Sequence, residues 1–231
     1  GLESLISDGL HSADVYRILG GLRARRERHG EAARWYRAVI DLEPRNREAM
    51  SNYLDQRLLA EDLQGLGPLV NEFCRVAEND VRSWVLMARW RFVRGDTSGA
   101  SVALNRGETL DPNFADLHFH RGLVWARLRK LDAAIASFER AIQLDRHHAL
   151  AWVHLGANLS VRNNYLSGLT HVRKALELKP SNLRIRLRAA MSFIQSGHLD
   201  LAETCIDEVL RRRPNHEMGL AWKGNILEKR G

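Results

Sequence analysis

A short group of residues recurs through this chain at a spacing of thirty-four residues, most clearly at 84–88, 118–122 and 152–156. Twelve residues after each group stands a small residue, namely Ala100, Ala134 or Gly168. A fixed period of this length predicts that the chain stacks one small unit repeatedly, instead of folding around a single globular core. Stacked units present extended surfaces and rarely form catalytic clefts.

Two prolines set the register of the repeat. Placing Pro112 and Pro180 at the thirty-second position of their units divides the chain into six units. The predicted units are 13–46, 47–80, 81–114, 115–148, 149–182 and 183–216. Residues 217–231 open a seventh unit or form a capping helix, and residues 1–12 are a short amphipathic segment that we expect to cap the first unit.

Apolar residues within each unit recur at helical spacing. Positions four, seven, eight and eleven share one face of a first helix, and positions twenty, twenty-four, twenty-seven and twenty-eight share one face of a second. Small residues at positions eight and twenty allow the two backbones to approach closely. The eighth position reads Gly20, Leu54, Ala88, Gly122, Gly156, Ala190 and Gly224.

Turn residues separate the predicted helices. Pairs such as Gly95-Asp96, Asn163-Asn164 and Gly197-His198 suit a helix end followed by a new N-cap. Prolines then end the second helices, because proline cannot continue a helix. These prolines are Pro44, Pro112, Pro180 and Pro214.

This pattern resembles the tetratricopeptide repeat family over about residues 13–231. In the fifth unit the matching residues are Trp152, Leu155, Gly156, Tyr165, Ala175, Leu176, Leu178 and Pro180. In the third they are Trp84, Gly95, Asp96, Ala100, Leu110 and Pro112. The resemblance implies an all-α, right-handed superhelical α-solenoid of helix-turn-helix repeats. It also implies a concave groove lined by the first helices that binds protein or peptide, with no catalytic residues or cofactor of its own.

Two parts of the chain depart from this pattern. Gly65, Gly67 and Pro68 fall where the second helix of the second unit belongs, so we expect that helix to begin late, at Pro68. This irregularity is either a functional kink or simple drift. Gly231 stands at the fifteenth position of the seventh unit, so the last helix is either a cap or a repeat interrupted at its turn, and the second reading is favoured.

The family resemblance also indicates which side chains face the groove. Positions two, five, nine, twelve and thirteen of the first helices face the groove, and in units three to six they give a largely apolar floor with arginines in or beside it. The candidate groove residues are Val85, Arg89, Phe92, Phe119, Leu123, Arg127, Val153, Leu187, Met191 and Ile194. Some of these side chains are expected to pack between first helices instead. The remainder suits an apolar or amphipathic peptide with acidic flanks, or a second copy of the chain.

The charge of the chain raises a nucleic-acid alternative. The formal net charge is +7, and almost all of the excess is arginine. Phosphate binding depends on such charge. However, many of these arginines fall at the ends of predicted helices, where cations complement the helix dipole, and the second unit is acidic. Nucleic acid is therefore the less favoured partner.

Other chemistry finds little support in the sequence. His120 and His154 share the sixth position of neighbouring units, but two histidines without a further ligand make a weak metal site. Cys74 and Cys205 are distant from each other in sequence and are predicted to be small buried hydrophobes. No apolar run reaches the length of a membrane span. We expect a soluble chain, in the cytoplasm more than the periplasm, with no catalytic, cofactor or metal residues.

The sequence therefore predicts a protein-interaction scaffold that binds a peptide or amphipathic segment. The first alternative is a substrate-recruitment or self-association region of a larger enzyme, such as a glycosyltransferase or sulfotransferase. Repeat arrays of this family precede such domains in some proteins. The second alternative is a nucleic-acid-binding helical array.

Overall fold

The computed structural model describes residues 11–230, which form thirteen α-helices and no β-strand. The predicted capping segment falls almost entirely on residues 1–10, outside the described range. The helices are α1 (Ala13–Arg25), α2 (His29–Leu42), α3 (Arg47–Leu59), α4 (Leu66–Val76), α5 (Val81–Val93), α6 (Thr97–Leu110), α7 (Ala115–Arg127), α8 (Leu131–Leu144), α9 (Ala149–Val161), α10 (Tyr165–Leu178), α11 (Leu183–Gln195), α12 (Leu199–Arg212) and α13 (Glu217–Arg230).

Odd-numbered helices are the first helices of the repeat, and each begins at the residue that opens a unit in the sequence register. Even-numbered helices are the second helices. Those of four units end two residues before Pro44, Pro112, Pro180 and Pro214, as predicted. The all-α fold of helix-turn-helix repeats is confirmed. The boundaries of the repeats as domains stay a prediction.

The turn inside each unit depends on one left-handed residue at the fifteenth position. Gly95 and Gly197 have φ of +85° and +78° there, and Asn163 has φ of +65°. Glu27, Glu61 and Arg129 occupy the same position in the other units, also with positive φ. A left-handed residue ends the first helix and turns the chain into the N-cap of the second.

The second unit is irregular, as the sequence predicts. Its second helix, α4, begins at Leu66, three positions later in the register than the other second helices. It starts two residues before the predicted Pro68, because proline is tolerated in the first turn, where its missing N–H has no helical partner. Gly65 precedes the helix with φ of +64°, a conformation that favours glycine.

Small residues allow close packing within the units, as predicted. A Cβ atom on Gly156 of α9 would lie 2.6 Å from the carbonyl oxygen of Gly168 on α10. The same atom on Gly122 of α7 would lie 2.5 Å from the Phe138 ring on α8. The two backbones of a pair therefore approach closely wherever glycine leaves the space.

The packing divides the chain into two compact units, Gly1–Pro112 and Asn113–Gly231. In the first, α1 to α6 pack in consecutive pairs, and α3 also contacts α5. In the second, α7 to α13 pack in the same way, with further contacts between successive first helices. We call these regions the N-terminal half and the C-terminal half.

Candidate functional site

The predicted apolar floor is partly a core. Val85, Phe119 and Val153, all at the fifth position, are buried, and so is Ile194 at the twelfth. The Phe119 ring lies 5.5 Å from the His154 ring of the next first helix and 6.0 Å from Phe138 of its own pair. The fifth-position side chain of α7 is thus enclosed by the neighbouring unit. These four side chains pack inside the helix stack and offer little surface to a partner.

The remaining candidates of the C-terminal half stay accessible. Leu123 and Leu187 are partly buried and pack at the margins of two hydrophobic clusters. Met191 is partly exposed on α11, and Arg127 is exposed at the end of α7. The first helices of this half therefore present Leu123 at position nine of α7, and Leu187 and Met191 at positions five and nine of α11.

The remaining candidates of the N-terminal half form a different arrangement. The Arg89 guanidinium donates to the Asp55 carboxylate, which joins the ninth positions of α5 and α3. The Arg89 side chain is only 18% exposed. Phe92, one turn further along α5, is partly buried. The charge of Arg89 is thus neutralised within the fold.

The sixth position carries a row of nitrogen-bearing side chains in the C-terminal half. His120 on α7, His154 on α9 and Arg188 on α11 occupy it in three successive units. We call these three residues the sixth-position row. His120 and His154, which share the sixth position of neighbouring units, both have imidazoles within 5.5 Å of the Phe119 ring. Arg188 occupies the same position in the next unit, whereas the sequence indicated only that arginines lie beside the apolar floor.

His148 extends this cluster from the helix end. As the N-cap of α9, its Nδ1 accepts a hydrogen bond from the backbone N–H of Ala151. Its Nε2 lies 2.9 Å from Oδ1 of Asp116, and the N-cap bond assigns Nε2 as the donor. The His148 ring also lies 4.8 Å from the Phe119 ring. Asp116 is therefore engaged by a histidine of this cluster.

The position of His154 keeps its imidazole neutral. Burial lowers the pKa of His154 well below its ordinary value, and the positive charge of Arg188 acts in the same direction. His120 and His148 add to this effect. Since desolvation and nearby cations both disfavour the imidazolium, the ring is neutral at pH 7.

Arg188 has an unusual environment for an arginine. Burial lowers the pKa of its guanidinium, and no neighbouring carboxylate opposes this effect. Within residues 11–230 the guanidinium makes no hydrogen bond or ion pair, although the backbone carbonyl of Arg188 accepts from Ser192. A desolvated cation without a counter-ion costs free energy. Arg188 is thus a partly buried cation without a counter-ion among residues 11–230.

Other kinds of site are not supported by the described residues. No three of their His, Cys, Asp or Glu side chains are grouped to hold a metal ion. Cys74 and Cys205 are free and buried as predicted, and burial raises the pKa of the Cys74 thiol to about 11. None of the helices between residues 11 and 230 is long and apolar enough to cross a bilayer.

Residues 11–230 form thirteen helices that are joined by short turns and packed in pairs, with glycine at close contacts between them. This arrangement defines a helical repeat protein. A model of the tetratricopeptide repeat matches residues 115–148, one of the six units. Residues 115–148 are thus similar to a tetratricopeptide repeat, and the helix-turn-helix units around them share the fold of solved tetratricopeptide repeat proteins. Repeats of this kind are typical of protein–protein interaction scaffolds.

Solved structures support the fold. The crystal structure of the APC/C hetero-tetramer Cut9–Hcn1 aligns with a TM-score of 0.75 and 16% identity, covering 98% of this chain and 45% of that one. TTC0263, a thermophilic tetratricopeptide repeat protein of Thermus thermophilus, aligns with a TM-score of 0.69 and 20% identity, covering 79% of this chain and 100% of that one. At these identities the likeness shows the fold alone.

Curated relatives are much longer than this chain. The peroxisomal targeting signal receptor of Candida albicans is 36% identical over 69 residues, which are 30% of this chain and 12% of the receptor. The human protein O-mannosyl-transferase TMTC1 is 22% identical over 176 residues, 74% of this chain and 20% of that protein. The chain therefore spans about a fifth or less of the length of either relative.

Proposed function

We propose that this chain is a protein-interaction scaffold whose C-terminal half binds an amphipathic peptide along α7, α9 and α11. The observation that carries the proposal is that accessible apolar side chains lie on α7 and α11, the helices that carry His120 and Arg188 of the sixth-position row. Leu123, Leu187 and Met191 supply the apolar contacts. A peptide with apolar anchors and acidic residues complements both features.

The charge distribution supports an acidic partner. The C-terminal half has 19 Lys and Arg against 11 Asp and Glu, a net charge of +8. The N-terminal half has 16 against 17, a net charge of −1. Positive charge concentrated in one half favours an acidic ligand there and speeds its association. The peroxisomal receptors are named for a targeting signal, and the protein YrrB is described as having an unusual peptide-binding site. Both descriptions agree with the proposal.

Selection of peptides tests this function directly. Twelve-residue random peptides displayed on phage are selected on the wild-type chain, resynthesised, and measured by fluorescence anisotropy. Met191→Asp places a charge among the apolar contacts and is expected to lower affinity by about tenfold or more. Leu166→Asp is the matched control, because Leu166 is 83% exposed on the second helix α10.

The outcomes separate clearly. Weaker binding to Met191→Asp with unchanged binding to Leu166→Asp, at unchanged melting temperatures, supports the proposal. Failure to enrich any peptide, or equal losses with both variants, contradicts it. A fluorescent single-stranded oligonucleotide is titrated in parallel. Oligonucleotide binding that weakens steeply with salt, without peptide binding, favours the nucleic-acid alternative.

A second candidate function is recruitment of substrate to an enzyme on the same polypeptide. The match to a protein named as an O-mannosyl-transferase over 74% of this chain favours it. In that case the scaffold presents a protein substrate and the chemistry belongs to another domain. Sequencing of the complete gene tests this candidate, since a transferase domain in the same reading frame is expected and its absence contradicts the candidate.

A further inference from the structure

A cleft in the N-terminal half has no part in the proposed peptide binding. It lies between α2, α3 and the loop that precedes α4, and its volume is about 490 Å³. Small-molecule sites have volumes of about 300 to 1,000 Å³, so this cleft is large enough for one. Three arginines and a single carboxylate line it. The polar side chains that line it are those of Arg34, Arg37, Tyr53, Arg57, Asp62 and Gln64.

The irregular second unit forms one wall of the cleft. Because α4 begins three positions late, Asp62 and Gln64 stand in a loop at positions where the other units cap and begin a second helix. The Arg57 guanidinium holds this loop, since it donates to the Asp62 carboxylate over 3.1 Å and to the backbone carbonyl of Gln64. It also donates to the Tyr53 hydroxyl, 2.9 Å away. Arg57 therefore fixes the wall and adds its charge to the cleft.

The other wall carries two accessible arginines, Arg34 and Arg37, which lie one turn apart on α2. Arg34 is exposed and makes no hydrogen bond or ion pair among residues 11–230. Arg37 donates to Asp41 over 2.9 Å, but both side chains of this pair are more than half exposed. Exposed pairs of this kind contribute little free energy, so a more highly charged anion can replace Asp41. Two guanidiniums are thus available to a ligand.

The two arginines are particular to the first unit. They occupy its twenty-second and twenty-fifth positions, and in the next five units these positions carry at most one cation, Arg173. The equivalent pairs are Pro68 and Asn71, Val102 and Asn105, Ala136 and Glu139, Thr170 and Arg173, and Thr204 and Asp207. The N-terminal half as a whole has a net charge of −1. The cleft therefore concentrates positive charge in a half that is otherwise close to neutral.

We propose that this cleft binds the phosphate group of a small phosphorylated molecule, with Arg34 and Arg37 as the binding residues and Arg57 as a positioning residue. A phosphate monoester has a charge of about −1.5 to −2 at pH 7, which suits three guanidiniums beside one carboxylate. Planar guanidiniums also pair with two phosphate oxygens at once. The remaining volume accommodates the organic part of the ligand. The site uses other helices than the proposed peptide site and does not depend on it.

Titration of the wild-type protein tests the chemistry of the ligand. Glycerol 3-phosphate is added to ¹⁵N-labelled protein at pH 7.5, and the backbone amide resonances are followed by NMR. Saturable shifts are expected at residues that line the cleft, such as Gly30, Ala60 and Gln64. Sodium succinate, a dicarboxylate, is expected to bind at least about tenfold more weakly. Shifts that do not saturate, that sodium chloride reproduces at equal ionic strength, or that succinate produces with equal affinity overturn the inference.

Protein variants at exposed positions test the site. Arg34→Gln and Arg37→Gln are each expected to weaken glycerol 3-phosphate binding by about tenfold. Arg173→Gln is the matched control, because it removes a positive charge from the same repeat position on α10, and its affinity is expected to equal that of wild type.

A gain of affinity separates this site from a purely structural role of the arginines. Asp41→Asn removes the internal partner of Arg37 and is expected to tighten binding by about two- to fivefold. Thermal unfolding verifies that all the variants fold as wild type does. Unchanged affinity in the double variant Arg34→Gln/Arg37→Gln, or an equal loss in Arg173→Gln, overturns the inference.

Discussion

The two halves are built from the same repeat, but their first helices carry different residue types at the sixth and ninth positions. In the N-terminal half, the sixth position reads Ile18, Asn52 and Leu86, while the ninth carries the Asp55–Arg89 pair. In the C-terminal half, the sixth position reads His120, His154 and Arg188, while the ninth reads Leu123, Ala157 and Met191. Arg89 in the N-terminal half is thus paired with a carboxylate, whereas the Arg188 guanidinium in the C-terminal half makes no ion pair among residues 11–230. The residues at the sixth and ninth positions therefore differ between the halves, while both halves keep the helix-turn-helix repeat.

The packing between helices also differs between two helix pairs, α1–α2 in the N-terminal half and α9–α10 in the C-terminal half. In the N-terminal half, Gly20 faces the ring of Tyr36, and an added Cβ would lie 3.0 Å from it. In the C-terminal half, Gly156 faces the backbone of Gly168, and an added Cβ would lie 2.6 Å from its carbonyl oxygen. An aromatic ring shifts more easily than a helix backbone. The pair α9–α10 is therefore the less tolerant of the two.

The largest expected effect tests this difference in tolerance. Gly156→Ala is expected to lower the free energy of unfolding by about 2 to 3 kcal/mol, because α9 and α10 must separate to admit the methyl group. Gly20→Ala is expected to cost less than about 1 kcal/mol, since the Tyr36 ring moves and alanine favours the helix. Urea unfolding followed by circular dichroism measures both. Equal losses would remove this distinction between the two helix pairs.

The next largest expected effect is on stability, and it compares Arg89, which is paired with Asp55, with Arg188, which makes no ion pair among residues 11–230. Asp55→Ala is expected to cost about 2 kcal/mol, because it leaves the Arg89 guanidinium without its partner in a partly buried site. Arg188→Leu is expected to leave stability unchanged or raise it by up to about 1 kcal/mol, because it removes a desolvated charge.

Thermal unfolding of the single variants measures this effect. The double variant Asp55→Ala/Arg89→Leu is measured as well, and it is expected to regain most of the stability that Asp55→Ala loses. A similar destabilisation by Arg188→Leu and Asp55→Ala would show that Arg188 has a structural role in the free protein.

The smallest expected effect is a pH dependence of stability that arises from His154 in the C-terminal half. The folded state lowers the pKa of His154, so the unfolded state binds the additional proton first as pH falls. The stability that this pKa difference contributes is therefore retained above the ordinary histidine pKa of about 6.5, and this contribution is lost progressively as pH falls below it.

Urea unfolding at pH 7.5 and 5.5 is expected to show a smaller loss for His154→Gln than for wild type. His198→Gln, at an exposed position in the same half, is the control and is expected to behave as wild type. If His154→Gln lost as much stability as wild type between pH 7.5 and 5.5, His154 would not be the group responsible for the pH dependence.

Sequence reasoning was most successful where the cause is local. The fifteenth-position turns of three units and the ends of four second helices follow from glycine, asparagine and proline within a few residues of the feature. The start of α4 was placed two residues late, because Pro68 fits inside a first helical turn as well as at its start. The sequence did not separate buried from accessible side chains among the ten candidate groove residues, since the fifth position is buried in units three to five and accessible at Leu187 in unit six.

The sequence by itself determined the repeat, because helix spacing, small residues and turn residues are encoded within thirty-four positions. It also determined which residues occupy equivalent positions on successive first helices. Only the tertiary structure decided that Phe119 is enclosed, that Arg89 has an acidic partner and that Arg188 has none among residues 11–230. Burial and ion pairing depend on side chains brought from other helices, and a position within one repeat carries no record of them.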